Sequence, residues 1–265
     1  MLEVRNVTKI FNAGTVNERK ALDNVSLSMA DGDFVTVIGG NGAGKSTLLN
    51  CIAGVYPVDK GSITVDGIKL DRLPEYKRAK YLGRVFQDPM MGTAADMGIQ
   101  ENLALAWRRG HRRTLRWGIL DKEKTLYRRL LSSLDLGLED RMAAKVGLLS
   151  GGQRQALTLL MATLNAPKML LLDEHTAALD PKTARRVLEL SDQFIRKEKL
   201  TTMMVTHNMR AALQYGNRLI MMNEGTILLD ISGEEKAKLH IDDLLKLFEK
   251  AGADEFMNDR MLLSR

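Results

Sequence analysis

Residues 34–47 read FVTVIGGNGAGKST, a largely apolar run followed by a glycine-rich stretch that ends in Lys-Ser-Thr. The segment fits the pattern G-x-x-x-x-G-K-[ST], and the helix-like run STLLNCIAG continues from it. Glycines let the backbone wrap a phosphate with its N–H groups pointing inward, and the start of a helix adds positive potential. The stretch therefore predicts a nucleotide phosphate-binding loop between a buried strand and a helix.

The residues expected to hold the nucleotide phosphates lie in this loop and the first turn of the helix. Lys45 is expected to reach the β- and γ-phosphates and so to take part in catalysis, and the Ser46 hydroxyl is expected to ligate Mg²⁺. The full set for this part of the nucleotide site is Gly39, Asn41, Gly42, Ala43, Gly44, Lys45, Ser46 and Thr47.

Outward from the loop, the patterning predicts an α/β protein. Residues 1–11 and 20–29 alternate as strands, and Asp-Gly within 61–70 predicts a hairpin. Residues 97–165 have helical spacing, and two continuous apolar strands, 169–172 and 202–205, are separated by a helix. Such strands joined by helices predict a parallel sheet covered on both faces. Residues 218–230 are expected to form a late hairpin around Asn223-Glu224-Gly225.

Composition excludes some classes of protein. The 265 residues are 45% hydrophobic and 27% charged, and no apolar run approaches the length of a membrane span. The first residues lack the pattern of a secretion signal, and the single cysteine, Cys51, excludes an internal disulfide, so we expect a cytoplasmic protein. The net charge of +6 is concentrated in residues 104–130, which contain nine Lys and Arg but only two acidic residues. This favours a local partner or a solvated face, and no nucleic acid is expected.

Three further side chains follow the predicted core strands. Asp173 ends MLLLD, where open parallel sheets gather their ligands, and is expected to hold Mg²⁺ through a water. Glu174 comes next and is expected to polarise the attacking water as a general base. His207 ends TTMMVTH and is expected to touch the γ-phosphate from the neighbouring strand.

A second glycine-rich turn, LSGGQRQ at 149–155, lies far downstream of the phosphate loop. Together the motifs resemble those of ATP-binding cassette (ABC) ATPases over residues 1 to about 235. In that family the phosphate loop of one subunit and the LSGGQ turn of another enclose one ATP. The resemblance therefore implies that Ser150, Gly151, Gly152 and Gln153 contact the γ-phosphate of a nucleotide held by a second copy, from the N-terminus of a helix.

The resemblance assigns further roles. It implies that Phe11 stacks on adenine, although a core role for this aromatic side chain stays open. Gln87 in VFQDP is implied to meet Mg²⁺ and the attacking water, and Asp180 in 177–180 to cross the dimer interface. The family usually has proline after the catalytic glutamate, whereas this chain has His175. Histidine here either adds a titratable group beside the site or is a neutral substitution.

The resemblance also implies a domain plan: a P-loop NTPase core of the ABC type with an N-terminal antiparallel β subdomain and an inserted helical subdomain. The expected bounds are 1–235 for one ATPase domain (core 1–90 and 165–235, helical part 91–164 with the LSGGQ turn) and 236–265 for a helical tail. The basic stretch 107–118 is expected to meet anionic lipid, a partner protein or solvent. Met90 and Met91 are expected to fill the core rather than contact a partner.

The implied activity is ATP hydrolysis with ATP and Mg²⁺. A dimer of cassettes would drive membrane-spanning permease subunits at the cytoplasmic face of the membrane, with an extracytoplasmic solute-binding protein as a further partner. The variant DEHTAALDP resembles ATPases of solute importers, some for amino acids. An exporter ATPase and a soluble cassette for iron–sulfur assembly are the alternatives. DNA-repair ATPases are disfavoured because the chain has no heptads or cysteine clusters.

Overall fold

A computed structural model describes residues 1–110 and 118–250 of the chain. Within these ranges the strands are β1 (Leu2–Phe11), β2 (Arg19–Met29), β3 (Phe34–Gly39), β4 (Lys60–Val65), β5 (Ile68–Lys69), β6 (Leu82–Val85), β7 (Met169–Asp173), β8 (Thr202–Val205), β9 (Arg218–Asn223) and β10 (Thr226–Ser232). The helices are α1 (Lys45–Ala53), α2 (Glu75–Arg78), α3 (Ile99–Trp107), α4 (Asp121–Ser132), α5 (Gly151–Thr163), α6 (Pro181–Glu198), α7 (Met209–Gln214), α8 (Gly233–Lys238) and α9 (Ile241–Lys250).

These elements fall into two compact units, which are described separately. The first comprises residues 1–78 and 201–265, and the second comprises residues 79–200.

An antiparallel sheet with strand order β2-β1-β4-β5 forms part of the first unit. Its strands alternate as the sequence predicts, since Val25, Leu27 and Met29 are buried while the serines between them are exposed. The β4–β5 connection is the expected Asp-Gly hairpin, with φ of 50° at Asp66 and 75° at Gly67.

A largely parallel set of strands in the order β10-β9-β3-β8 forms the rest of the first unit's sheet structure. β3 is buried along its whole length and runs parallel to both β8 and β9. A strand with no exposed face reads as continuous apolar sequence, which is why FVTVI does not alternate. β9 and β10 form the late hairpin predicted around Asn223-Glu224-Gly225.

The C-terminal helices of the first unit are anchored to its core. Leu244 of α9 is fully buried in a cluster with Ile38, Met209 and Leu219. Lys236 of α8 is also buried, and its ammonium group donates to the carbonyl oxygens of Tyr215 and Gly216. The predicted helical tail, residues 236–265, contains the end of α8 and the whole of α9 up to residue 250, and residues 251–265 lie outside the described ranges.

The second unit combines a parallel strand pair with helices. β6 pairs with β7, with Val85 opposite Leu172. The helices α3 to α6 bury an apolar cluster that includes Tyr127, Leu131 and Leu157. β6 is a short strand that the sequence analysis did not identify, because its four residues, LGRV, carry no clear alternation. This division into two units does not test the bounds predicted for the ATPase domain and the tail, so those bounds stay predictions.

Two expectations about side chains have different outcomes. The expectation that Met90 and Met91 fill the core is wrong, since 42% and 69% of their surfaces are exposed. Most of the basic stretch 107–118 lies outside the described residues, but its first two arginines have partners. Arg108 Nη2 donates to both carboxylate oxygens of Glu123, and Arg109 donates to the carbonyl oxygen of Ala162. Among the described helices, none has both the length and the apolar character needed to cross a bilayer.

Candidate nucleotide site

The loop between β3 and α1 depends on glycine geometry. Gly42 and Gly44 have φ values of 78° and 100°, in the left-handed region that favours glycine. A Cβ atom on Gly44 would lie 2.6 Å from the carbonyl oxygen of Ala21, a distance that backbone atoms cannot relieve cheaply. Gly44 is also the N-cap of α1, so the loop delivers its backbone directly into the start of that helix.

Lys45 is the central cation of this loop. Its side chain is only 5% exposed, and Nζ lies 2.8 Å from the carbonyl oxygen of Gly39 and 2.9 Å from that of Gly40. The ammonium group is therefore held across the loop at the N-terminal end of α1, where positive potential accumulates. Asn41, Gly42 and Ser46 are exposed, Ala43 and Gly44 are buried, and Thr47 is half-buried.

Phe11 is half-buried at the end of β1. Its ring makes an edge contact with Tyr56, with centroids 5.1 Å apart, and the Lys9 ammonium lies 5.4 Å from its centroid. The cross-strand partner of Phe11 is Arg19, whose Nη2 donates to the carbonyl oxygen of Gly42 at 3.3 Å. Arg19 therefore links the β1–β2 strand pair, which carries Phe11, to the phosphate loop. The sequence analysis did not identify this role of Arg19.

His207 lies at the same sheet edge as the phosphate loop. Val37 of β3 pairs with Val205 of the parallel strand β8, and Gly39 and His207 each follow by two residues. Because parallel strands end at a common edge, the structure brings these two predicted site residues together within the first unit. His207 is half-buried and directly precedes Asn208, the N-cap of α7.

In the second unit, Asp173, Glu174 and Gln87 lie at the ends of the paired strands. Gln87 and Glu174 each follow the pair Val85–Leu172 by two residues, so both come directly after the carboxyl ends of the two parallel strands. Asp173 and Glu174 are half-buried and Gln87 is exposed. Asp173 Oδ2 accepts from Arg84 Nη2 at 3.2 Å, an ion pair that the sequence analysis did not anticipate.

The LSGGQ turn begins α5, also in the second unit. Ser150 is the N-cap, and its Oγ accepts from the backbone N–H of Gln153 at 3.3 Å, while Gln153 Oε1 accepts from the backbone N–H of Ser150 at 3.2 Å. This reciprocal pair is a capping box. Ser150 and Gly151 are exposed, so the helix N-terminus is open to solvent, and Gly152 is buried next to Thr183.

Two further residues of the second unit, Asp180 and His175, are positioned by contacts with helix α6. Asp180 is exposed and caps α6, with Oδ1 accepting from the Thr183 N–H at 3.1 Å. Hydrogen bonds from Thr183 lower the pKa of the Asp180 carboxyl group. His175 is buried, its Nε2 lies 3.1 Å from Ser191 Oγ, and burial lowers its pKa to about 4. His175 is therefore a neutral, buried residue.

The predicted magnesium ligands can be compared with what Mg²⁺ requires, each in its own unit. Within residues 1–110 and 118–250, no group of three or more His, Cys, Asp or Glu could form a metal cage. Mg²⁺ is usually bound by one or two carboxylates together with substrate phosphates and waters, so a cage is not required. Each predicted ligand carries an oxygen donor of the kind that Mg²⁺ prefers: Ser46 in the first unit, and Asp173 and Gln87 in the second unit.

Comparison with known proteins decides the family. The model of the family described as ABC transporter matches residues 22–177, more than half of the chain. The chain belongs to the ABC transporter family. Within this family it is an ATP-binding cassette ATPase, and its fold is that of the ABC-type P-loop core, as the resemblance implied.

Curated relatives of this ABC ATPase are similar over most of its length. A tyrosine transport ATP-binding protein of Clostridioides difficile is 46% identical, with 95% of this chain and 100% of the relative covered. A xylose/arabinose import ATP-binding protein of Sulfolobus acidocaldarius is 34% identical, with 94% of each covered. A methionine import ATP-binding protein of Bartonella henselae is 32% identical, with 86% of this chain and 64% of the relative covered.

Solved structures of ABC cassettes resemble the chain as well. The ATP-binding cassette MJ0796, in a dimeric post-hydrolysis state bound to ADP and Pi, has a TM-score of 0.75 and 29% identity, with 88% of this chain and 98% of that chain covered. The ADP form of the cassette MJ1267 has a TM-score of 0.77 and 28% identity, covering 94% and 98% of the two chains.

Proposed function

We propose that this ABC ATPase powers the import of a small solute such as an amino acid, through a dimer that encloses ATP. The observation that carries the nucleotide part is Lys45, buried at the start of α1 with Nζ on the loop carbonyls. The transport part is supported by relatives whose names specify tyrosine transport and methionine import. Among them, the tyrosine transport protein has the highest identity to this chain, which favours an amino acid over a sugar.

Each predicted site residue would have its own role in binding or hydrolysing ATP. Lys45 would exchange its carbonyl partners for the β- and γ-phosphates, while the loop N–H groups bind the phosphate oxygens. Ser46, Gln87 and Asp173 would hold Mg²⁺, which neutralises charge that develops on the phosphates. Glu174 would orient the attacking water and accept its proton, and His207 would hydrogen-bond the γ-phosphate. Phe11 would stack on adenine.

A second copy would complete the site. Ser150, Gly151 and Gly152 present exposed or backbone donors at the N-terminus of α5, a favourable position for an anion. We propose that they, with Gln153, contact the γ-phosphate of ATP held by the phosphate loop of the partner copy, and that Asp180 contacts the same interface. The dimeric state of the similar cassette MJ0796 supports this arrangement.

The output would pass to other chains. We propose membrane-spanning permease subunits as partners, an extracytoplasmic solute-binding protein beyond them, and a peripheral position at the cytoplasmic face of the membrane. ATP would favour the closed dimer only through contacts made in that form, because a ligand shifts an equilibrium by its differential affinity. Gln87 would link the nucleotide to the helical unit that receives the permease.

The deciding experiment uses Glu174→Gln in the full chain. Removal of a general base costs about 10² to 10⁴ in rate, and nucleotide binding should remain. We therefore expect a dimer trapped with ATP and Mg²⁺, detected by size-exclusion chromatography with light scattering, and almost no phosphate release. A matched control is Glu189→Gln, which removes a carboxylate from α6 of the same unit.

Two results would contradict the proposal. Wild-type phosphate release by Glu174→Gln would remove Glu174 from the mechanism. For the import step, the wild-type chain would be reconstituted in vesicles with the permease subunits that copurify with it. ATP enclosed in the lumen reaches only complexes whose cassettes face inward, as they do in a cell. Uptake of tyrosine or methionine that depends on this enclosed ATP is expected, and efflux driven by it would instead establish an exporter.

A further inference from the structure

The turn after β7 holds Glu174 in an uncommon backbone conformation. Its φ of 45° lies in the left-handed region, which a residue with a side chain adopts only at an energetic cost. Such a conformation persists where neighbouring groups hold it in place. The position of the Glu174 carboxylate therefore depends on the restraints that act on the residues that follow.

A β-turn begins at Glu174 itself. The backbone N–H of Ala177 donates to the carbonyl oxygen of Glu174 at 2.9 Å, which puts His175 and Thr176 at the two central positions. Proline is favoured at the first central position because its ring presets φ. Histidine does not restrict its own φ in this way, so this chain lacks the restraint that the usual proline of the family supplies.

The side chain of His175 makes a contact that proline cannot make. It is 2% exposed, and its Nε2 lies 3.1 Å from Oγ of Ser191, which is itself 1% exposed in α6. The Ser191 hydroxyl donates its proton to the carbonyl oxygen of Val187 at 2.8 Å. Because a hydroxyl has one proton, the Ser191 oxygen accepts from His175, and the ring proton is assigned to Nε2.

The segment from His175 to Asp180 is thereby attached to helix α6 at both ends. At the far end, Asp180 caps α6 by accepting from the Thr183 N–H. At the near end, the His175 ring is bonded to Ser191, nearly three helical turns further along α6. The segment from His175 to Asp180, six residues long, is fixed to a rigid helix at both ends. Glu174 directly precedes this segment and therefore has little freedom to move.

We propose that His175 is a positioning residue, and that its hydrogen bond to Ser191 replaces the proline restraint and holds the Glu174 carboxylate toward the attacking water. The inference rests on the proposed role of Glu174 as general base. It differs from a simple packing role, because a histidine that only fills the core would affect stability without a selective effect on the chemical step.

The test compares steady-state ATP hydrolysis of full-length variants. A misplacement of about 1 Å can cost about 10²-fold in rate, so we expect kcat of His175→Ala to fall by about 10- to 100-fold. KM for ATP should stay at the wild-type value, because the phosphate loop is unchanged. Ser191→Ala should lower kcat by a smaller factor, since the ring stays buried but loses its partner.

Two further variants make the test specific. His175→Pro supplies the backbone restraint without the ring, so it should recover much of the kcat that His175→Ala loses. Thr163→Ala is the matched control for Ser191→Ala: it removes a hydroxyl that also bonds a carbonyl one turn earlier, but at the end of α5. It should leave kcat unchanged. Thermal melting of each variant identifies any loss of folding.

The outcomes separate this inference from the proposed function. If Glu174→Gln is inactive while folded His175→Ala and Ser191→Ala hydrolyse ATP at the wild-type rate, the positioning role is wrong and the role of Glu174 stands. If His175→Pro loses as much kcat as His175→Ala, backbone restraint is not the cause, and the inference also fails. If His175→Ala does not fold, the kcat of Ser191→Ala decides whether the positioning role stands. Wild-type hydrolysis by Glu174→Gln would instead remove the proposed function.

Discussion

The Nζ atom of Lys45 lies 2.8 Å from the carbonyl oxygen of Gly39, across the phosphate loop from the start of α1. The lysine therefore closes its own loop by bonding the residue at which β3 ends. A buried ammonium group requires hydrogen-bond acceptors, and the loop carbonyls provide them. In the proposed ATP-bound state, phosphate oxygens, which are charged acceptors, would take their place.

Replacement of Lys45 by alanine should weaken ATP binding strongly. Hydrogen bonds to charged groups contribute about 1.5 to 3 kcal/mol, so Kd for ATP should rise by roughly 10- to 150-fold. Isothermal titration with a slowly hydrolysed ATP analogue measures the change. The control is Lys20→Ala, which removes an exposed lysine paired with Asp23 on β2. Equal affinities of Lys45→Ala and the wild type would contradict the phosphate-loop assignment.

Ser150→Asp should separate helix capping from nucleotide contact. Aspartate is as good an N-cap as serine, so the acceptor for the Gln153 N–H remains and thermal stability should be unchanged. A carboxylate facing the γ-phosphate would repel it, so ATP-dependent dimerisation in the Glu174→Gln background should be lost. Ser150→Ala should instead lower stability by about 1 kcal/mol because the cap is removed.

Sedimentation of the two Ser150 variants with ATP and Mg²⁺ provides the readout. A Ser150→Asp chain that dimerises as readily as its parent would mean that the capping box is the whole role of this serine. The second copy would then not contact the nucleotide through Ser150.

Lys236 should make stability rise with pH in the alkaline range. Its side chain is 4% exposed, and its ammonium group contacts Thr36 Oγ1 and the carbonyl oxygens of Tyr215 and Gly216. Burial lowers its pKa from 10.5 to about 8. Between these values the unfolded chain binds more protons than the folded chain, so the free energy of unfolding increases as pH rises. The gain is at most about 3 kcal/mol.

Urea unfolding at pH values from 7.5 to about 10.5 tests this dependence. Other groups titrate in this range, so the informative quantity is the difference in slope between the wild type and Lys236→Met, which should lack this contribution. Lys238→Met is the matched control, because Lys238 lies in the same helix with an exposed side chain. Equal slopes in all three proteins would show that Lys236 is not the group that titrates.

Several features of the site follow from residue order alone. The phosphate loop, the strand before it and the helix after it lie within residues 34–53, and glycine, lysine and serine have local conformational and chemical preferences that the pattern expresses. The Asp-Gly hairpin and the Ser150 cap were predictable for the same reason, because the interacting groups are separated by only a few residues. The family could be identified from such local motifs in combination.

Other features were decided only in three dimensions. Arg19 reaches Gly42 because β2 pairs with β1 beside the loop, and no local pattern records that pairing. The Lys236 ammonium group lies 3.5 Å from the Thr36 hydroxyl oxygen, although the two residues are 200 positions apart in the sequence. His175 follows Glu174, the proposed general base, in sequence, and only the packing of α6 shows that its ring is buried against Ser191. Local propensity acts over a few residues, whereas burial and side-chain partners depend on which distant segments the folded chain brings together.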